Sequence, residues 1–114
     1  MTQKKISARA KSAFIKAYNL VSNPKTWTRG TMARNKLGLS TPWRGDDAVS
    51  FCASGACNKA KVPAYVQNRL NDVSKKLYNK PNIIEVNDGK GRKAVVTAFE
   101  AVAKSFRVKL PKVA

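Results

Sequence analysis

Between residues 24 and 45 the chain is punctuated by Pro24, Gly30, Gly38, Pro42 and Gly45. Proline removes a backbone donor and clashes with the preceding helical turn, and glycine costs roughly 1 kcal/mol in a helix interior. No long helix fits there. On both sides of this segment apolar residues recur at helical spacing, so the chain reads as a helical protein with one irregular stretch set into it. Short extended pieces around 27–34 and 39–43, turning at Lys36–Gly38, predict a small hairpin within that stretch.

The helical stretches are read from their apolar stripes. Over 5–21, Ile6, Ala10, Ala13, Phe14, Ala17, Leu20 and Val21 fall on one side, with Lys5, Arg9, Ser12 and Lys16 in a narrow sector on the other. Ser7 is the expected cap, and Asn23-Pro24 ends the helix. Asp46-Asp47 suit the positive end of a second helix over about 47–59. Its small residues Ala48, Val49, Cys52, Gly55 and Ala56 permit close packing, so it is expected at the centre of the fold. A third helix, about 63–78, starts at Pro63 and carries Val66, Leu70, Val73 and Leu77. Ile83-Ile84-Glu85-Val86 reads as a strand or extended connector, and Asn87 to Gly91 as a turn. A last helix over about 91–107 presents Val95, Phe99, Val102 and Phe106. The expected fold is therefore mainly α: one compact four-helix domain over 1–114, an irregular or hairpin segment at about 24–45, and an extended connector at about 83–86. Residues 1–5 and the tail 108–114 are expected to be flexible.

Charge narrows the function. The chain has 23 Lys plus Arg against 6 Asp plus Glu, a formal net charge of +17. Solubility of a small domain needs only about 2–8, and self-repulsion of this size calls for a polyanionic partner. The imbalance is polarised: residues 1–45 hold ten basic residues and no acid, and all six acids lie from Asp46 onward. No apolar run approaches the ~20 residues of a membrane span. No secretory apolar core follows the basic N-terminus, so a cytoplasmic protein without a membrane partner is expected.

The chain has no histidine, which removes the commonest general base and most zinc sites. Cys52 and Cys57 are too few for a disulfide framework. Five residues apart on a helix, their side chains diverge. Cys52 reads as a small buried residue, and Cys57 as one on the polar side, partly exposed. No metal or cofactor is expected.

Two segments carry residues suited to phosphate or base contact. Asp88-Gly89-Lys90-Gly91-Arg92-Lys93 precedes a helix, and glycines with free helical N–H groups let a backbone approach an anion. The spacing is neither that of a Walker loop nor that of a dinucleotide fingerprint. The segment reads equally as a helix-entry turn with solvated cations. Trp27 and Trp43 lie among Arg29, Arg34 and Arg44, where they serve either as anchors for the irregular segment or as platforms for base stacking. Trp43 is the better platform candidate.

Three motifs in order, Trp27-x-x-Gly30-x-x-Ala33-Arg34, Ala48-x-x-Phe51-Cys52-Ala53-x-Gly55-Ala56 and Ile84-x-x-Asn87-Asp88-x-x-Gly91-Arg92, give the chain a likeness. Over about residues 10–105 it resembles a family of small bacterial and bacteriophage proteins of unknown function. The resemblance implies a compact, mostly helical domain and brings no activity, cofactor or catalytic residue with it. It differs from that pattern in being far more basic, and in carrying Lys93 where many members carry threonine. Within it, Asp88 is expected to accept N–H groups of the turn and Arg92 to pair back with it, fixing this loop against the Trp27 segment.

The leading expectation is a DNA- or RNA-binding protein that contacts phosphates largely without regard to sequence. Lys5, Arg9, Lys16, Arg29, Arg34, Arg44, Lys90, Arg92 and Lys93 are the candidate contacts, and Trp43 the candidate stacking residue. The alternative is a bacteriophage effector that binds and inhibits an acidic host protein or defence complex. A third reading, a small metal-dependent nuclease using Glu85, Asp88 and Lys90, is the least favoured, and no catalysis is expected.

Overall fold

The computed structural model describes residues 5–111. Among the described residues there are five helices: α1 (Ala8–Ser22), α2 (Ala53–Ala60), α3 (Ala64–Tyr78), α4 (Ile83–Lys90) and α5 (Arg92–Ser105). Two short strands, β1 (Ala33–Arg34) and β2 (Ser50–Phe51), pair antiparallel with Ala33 opposite Phe51 and Arg34 opposite Ser50. The chain is a compact, mainly helical fold with a minimal sheet. Among the described residues no helix is long and apolar enough to cross a membrane.

α5 lies at the centre, packed against α1, α3 and α4. Its Val95, Ala98, Phe99 and Val102 are fully buried. Phe99 stacks on Phe14 of α1 with ring centroids 5.2 Å apart, and Tyr18 tilts against the same ring. α1 and α5 run antiparallel: Arg92 at the start of α5 donates from Nη1 to the Ser22 carbonyl at the end of α1, 2.7 Å away, while Phe99 further along α5 meets Phe14 earlier in α1. α1 is capped as its sequence predicts, with the Ser7 hydroxyl accepting from the Ala10 N–H. Its outward Arg9, Ser12 and Lys16 are exposed, as is Lys5 ahead of the helix.

The second helix departs from its sequence reading. It starts at Ala53, not 47, and it flanks the core through α1 and α4 while α5 takes the central place. Ladder bonds compete for the backbone ahead of it. Val49 N–H donates to the Arg34 carbonyl and Phe51 N–H to the Thr26 carbonyl. Asp47 accepts from the Thr41 hydroxyl, and the cap is Cys52, whose Sγ accepts from the Gly55 N–H at 3.3 Å. Of the small face expected there, Ala48, Val49 and Cys52 precede the helix and Val49 is exposed; Gly55 and Ala56 remain on it, and Gly55 packs against a loop, not another helix. A side chain at Gly55 would lie about 2.0 Å from the Met32 carbonyl oxygen, so only glycine lets α2 sit against the irregular segment.

The predicted hairpin forms only as a single bridge between Arg34 and Ser40; the main pairing of 33–34 is with 50–51. The segment predicted as an extended connector at 83–86 is instead the first turn of α4, raising the helix count from four to five. The Asn82 side chain accepts from the Glu85 N–H and starts this helix, which then runs through Asn87 and Asp88. Gly91, at φ +96°, makes the corner into α5. On α3, Leu77 is exposed, and Ser74 occupies the buried face with its hydroxyl donating to the Leu70 carbonyl. Beyond α5, Arg107 adopts φ +58° and Val108 N–H returns to the Ala103 carbonyl. Val108 is thereby buried and Leu110 packs on the core, so this part of the tail expected to be flexible is held. Residues 1–4 and 112–114 lie outside the described residues.

Candidate nucleic-acid interface

Two adjoining hollows lie along the outer side of α1 where it meets the end of α2. One, of about 430 Å³, is lined by Arg9, Ser12, Ala13, Lys16, Ala60 and Lys61. The other, of about 320 Å³, is lined by Lys16, Asn19, Leu20, Lys59 and Ala60. They share Lys16 and Ala60 and so form one groove, with no carboxylate among its lining residues. Helical spacing builds the α1 wall: Arg9, Ser12, Lys16 and Asn19 recur at three- and four-residue intervals, and Arg9 and Lys16 stand two turns apart, ~10 Å along the axis. Ala13 and Ala60 keep the floor small enough for a backbone to come close. Lys5 is exposed just ahead of the helix.

The opposite wall was not read from the sequence. Lys59 lies in the last turn of α2, which ends at Ala60, and Lys61 follows in the left-handed conformation at φ +66°. Lys61 N–H donates to the Asn58 carbonyl and Val62 N–H to the Cys57 carbonyl. This closure normally uses glycine, and a lysine there carries strain of about 1 kcal/mol or more. The residue that accepts this strain lines the groove. Its charge and that of Lys59 offset the negative pole of α2, which points the same way. The available signal was Lys59-Ala60-Lys61 immediately before Val62-Pro63, a helix end bearing two cations.

The remaining candidate contacts lie elsewhere. Arg29 stands 5.4 Å over the Trp27 ring and crowds the α4–α5 corner, where a side chain at Gly91 would meet its Nη2 at 2.8 Å. Lys90 lies over the Tyr78 ring and Lys93 is exposed. Arg34 turns into its own segment, donating to the Thr28 hydroxyl and to the carbonyls of Gly38 and Arg29. Arg92 is half-buried on the Ser22 carbonyl. Arg44 covers Trp43 at 4.7 Å, and Trp43 is partly buried against the core. The structure thus brings Arg9 and Lys16 together with Lys59 and Lys61, and Arg29 with the 90–93 corner. It uses Arg34 and Arg92 as internal braces.

Trp27 is an anchor. Its indole Nε1 donates to Asn87 Oδ1 at 2.8 Å, and the same oxygen accepts the Ala53 N–H that opens α2. Asn87 Nδ2 donates to the Thr28 carbonyl and to Asp88 Oδ1, and that carboxylate oxygen also accepts the Gly30 N–H. The knot expected between Asp88 and Trp27's segment is therefore centred on the fully buried Asn87, while Arg92 reaches Ser22 instead of Asp88.

Neither cysteine has the surroundings of a reactive thiolate. Cys57 is 1% exposed, against the expectation of partial exposure, and burial pushes its thiol well up. Burial also raises Cys52, outweighing the Gly55 and Ser54 N–H groups that favour its thiolate. Compared with protein-family models, curated proteins and solved structures, the chain matches none.

Proposed function

We propose that this protein binds nucleic acid, DNA or RNA, by phosphate contacts in the α1–α2 groove, without base readout and without catalysis, as a cytoplasmic protein with no cofactor or membrane partner. The observation that carries this reading is the groove itself. Arg9, Lys16, Lys59 and Lys61 converge on a small-residue floor with hydroxyl and amide donors between them and no carboxylate among the lining side chains. Such a surface suits a chain of negative groups and offers little to a neutral ligand. Its lining includes no aromatic platform, which fits contact with backbone in preference to stacked bases.

Fluorescence anisotropy with labelled duplex DNA, single-stranded DNA and RNA across a salt series tests it. If the four groove cations each neutralise a phosphate, log K should fall with log salt at a slope of about −3.6 on duplex DNA, from −0.9 per contact. Lys16→Gln and Lys61→Gln should each flatten that slope by about one and weaken all sequences alike. Lys75→Gln, in the last turn of α3 and not among the residues lining the groove, should leave it nearly unchanged. Affinity indifferent to salt, or equal losses from all three substitutions, would overturn the groove as the site.

A further inference from the structure

Five large apolar side chains are markedly exposed among the described residues; two of them, Leu37 at 77% and Val49 at 45%, line one hollow, and Leu39 at 61% lies two residues along the turn from Leu37. Leu37 and Leu39 stand on a turn that is braced from within. Asn35 Oδ1 accepts the N–H groups of both leucines, Asn35 N–H donates to the Leu39 carbonyl, and Arg34 Nη1 donates to the Gly38 carbonyl. A turn held this firmly loses little further freedom when something covers it. Beside it lies a hollow of about 350 Å³ lined by Asn35, Lys36, Leu37, Asp47 and Val49. One patch therefore carries an apolar knob, an apolar recess and one charge of each sign.

A surface that holds both halves of a contact suits a two-fold pairing, in which each residue meets its counterpart's complement. We propose that this tip is a self-association face: Leu37 of one copy seats against Leu37 and Val49 of a second, with Lys36 of each opposite Asp47 of the other. An acidic partner would leave Asp47 facing like charge, whereas a second copy places a lysine against it. The patch is small beside the ~800 Å² per partner of a stable dimer, and two copies at +17 repel one another. The pairing is therefore weak in dilute buffer. Added salt strengthens it by screening the repulsion, whereas salt weakens attachment to a polyanion.

Sedimentation equilibrium of the full chain without nucleic acid tests this independently of the groove. At ~0.5 M salt, where the screening length is only a few ångströms, the average mass should climb with concentration toward twice 12.5 kDa. At ~0.05 M salt it should stay close to the monomer. Leu37→Ser should weaken association at least about tenfold with an unchanged melting temperature, since the side chain is exposed. Lys36→Asp and Asp47→Lys should each weaken it, and the two combined should restore it. A monomer at high salt and high concentration, an unaffected Leu37→Ser dimer, or a double variant no better than the singles would overturn the proposal. So would a monomeric protein whose Leu37→Ser variant instead loses affinity for duplex DNA, which would assign the tip to the nucleic acid.

Discussion

Cys57 sits in α2 with its sulfur removed from water, and burial holds the thiol in its neutral form. The sign of the pH effect follows. The folded chain keeps a proton that the unfolded chain releases near the ordinary value of 9.0, so the stabilisation is complete below that pH. It is lost as pH rises toward the folded value, with a limiting slope of about 1.4 kcal/mol per pH unit for one thiol. Denaturant unfolding at intervals from about pH 8 to about pH 10.5 should show the wild type weakening on the alkaline side, and Cys57→Ala should lose less over the same range. At this scale the sequence reading of Cys52 as small and buried was right. Cys57 was misplaced because an assumed helix start at 47 defined the buried face through Ala48, Val49 and Cys52, which precede the helix, and so put Cys57 on the polar side. The true start, set by Cys52 as cap, turns Cys57 inward.

Between elements, the contact that matters most is Asn87, through which α4 holds the Trp27 segment and the first residue of α2. Truncation would strand the Trp27 indole and the Ala53 N–H, each a loss of roughly 1–3 kcal/mol. Asn87→Ala should accordingly lower unfolding free energy by roughly 2–6 kcal/mol and shift Trp27 fluorescence as the segment loosens; an unaltered melt would show the knot to be dispensable. α1, α3 and α5 were legible because their stripes run for 14 or 15 residues. α4 was not, because eight residues beginning Ile83-Ile84 look alike as strand or helix, and the cap at Asn82 decides between them. The strand pairing was missed for a related reason. Two-residue strands are chosen by what is buried beside them, here Ala33 against Phe51, and not by local pattern.

For the molecule as a whole, the surplus of cations works against compactness. Raising salt from about 20 to about 300 mM should increase the melting temperature by relieving that repulsion. A melting temperature that drops instead would mean that attractive pairs, not repulsion, dominate the electrostatics of the fold. Half of the groove was foreseeable: the α1 wall is a helical stripe, visible as spacing. The α2 wall depends on how α2 ends and on which side of α1 it rests, and those are tertiary facts. Arg34 and Arg92 show the converse. Composition counts them as surface charge, yet each is half-buried and spends its donors on backbone carbonyls of the fold.

The meeting of Gly55 with the Met32 carbonyl also bears on how this chain can change over generations. Arg9 and Lys16 on the outer side of α1 are exposed, so descendants can change them without disturbing the packing of the fold. Position 55 offers no such latitude, because even a methyl group has no volume to occupy. Divergent copies of this protein should therefore be traceable by that one unvarying residue long after their charged surfaces have ceased to align.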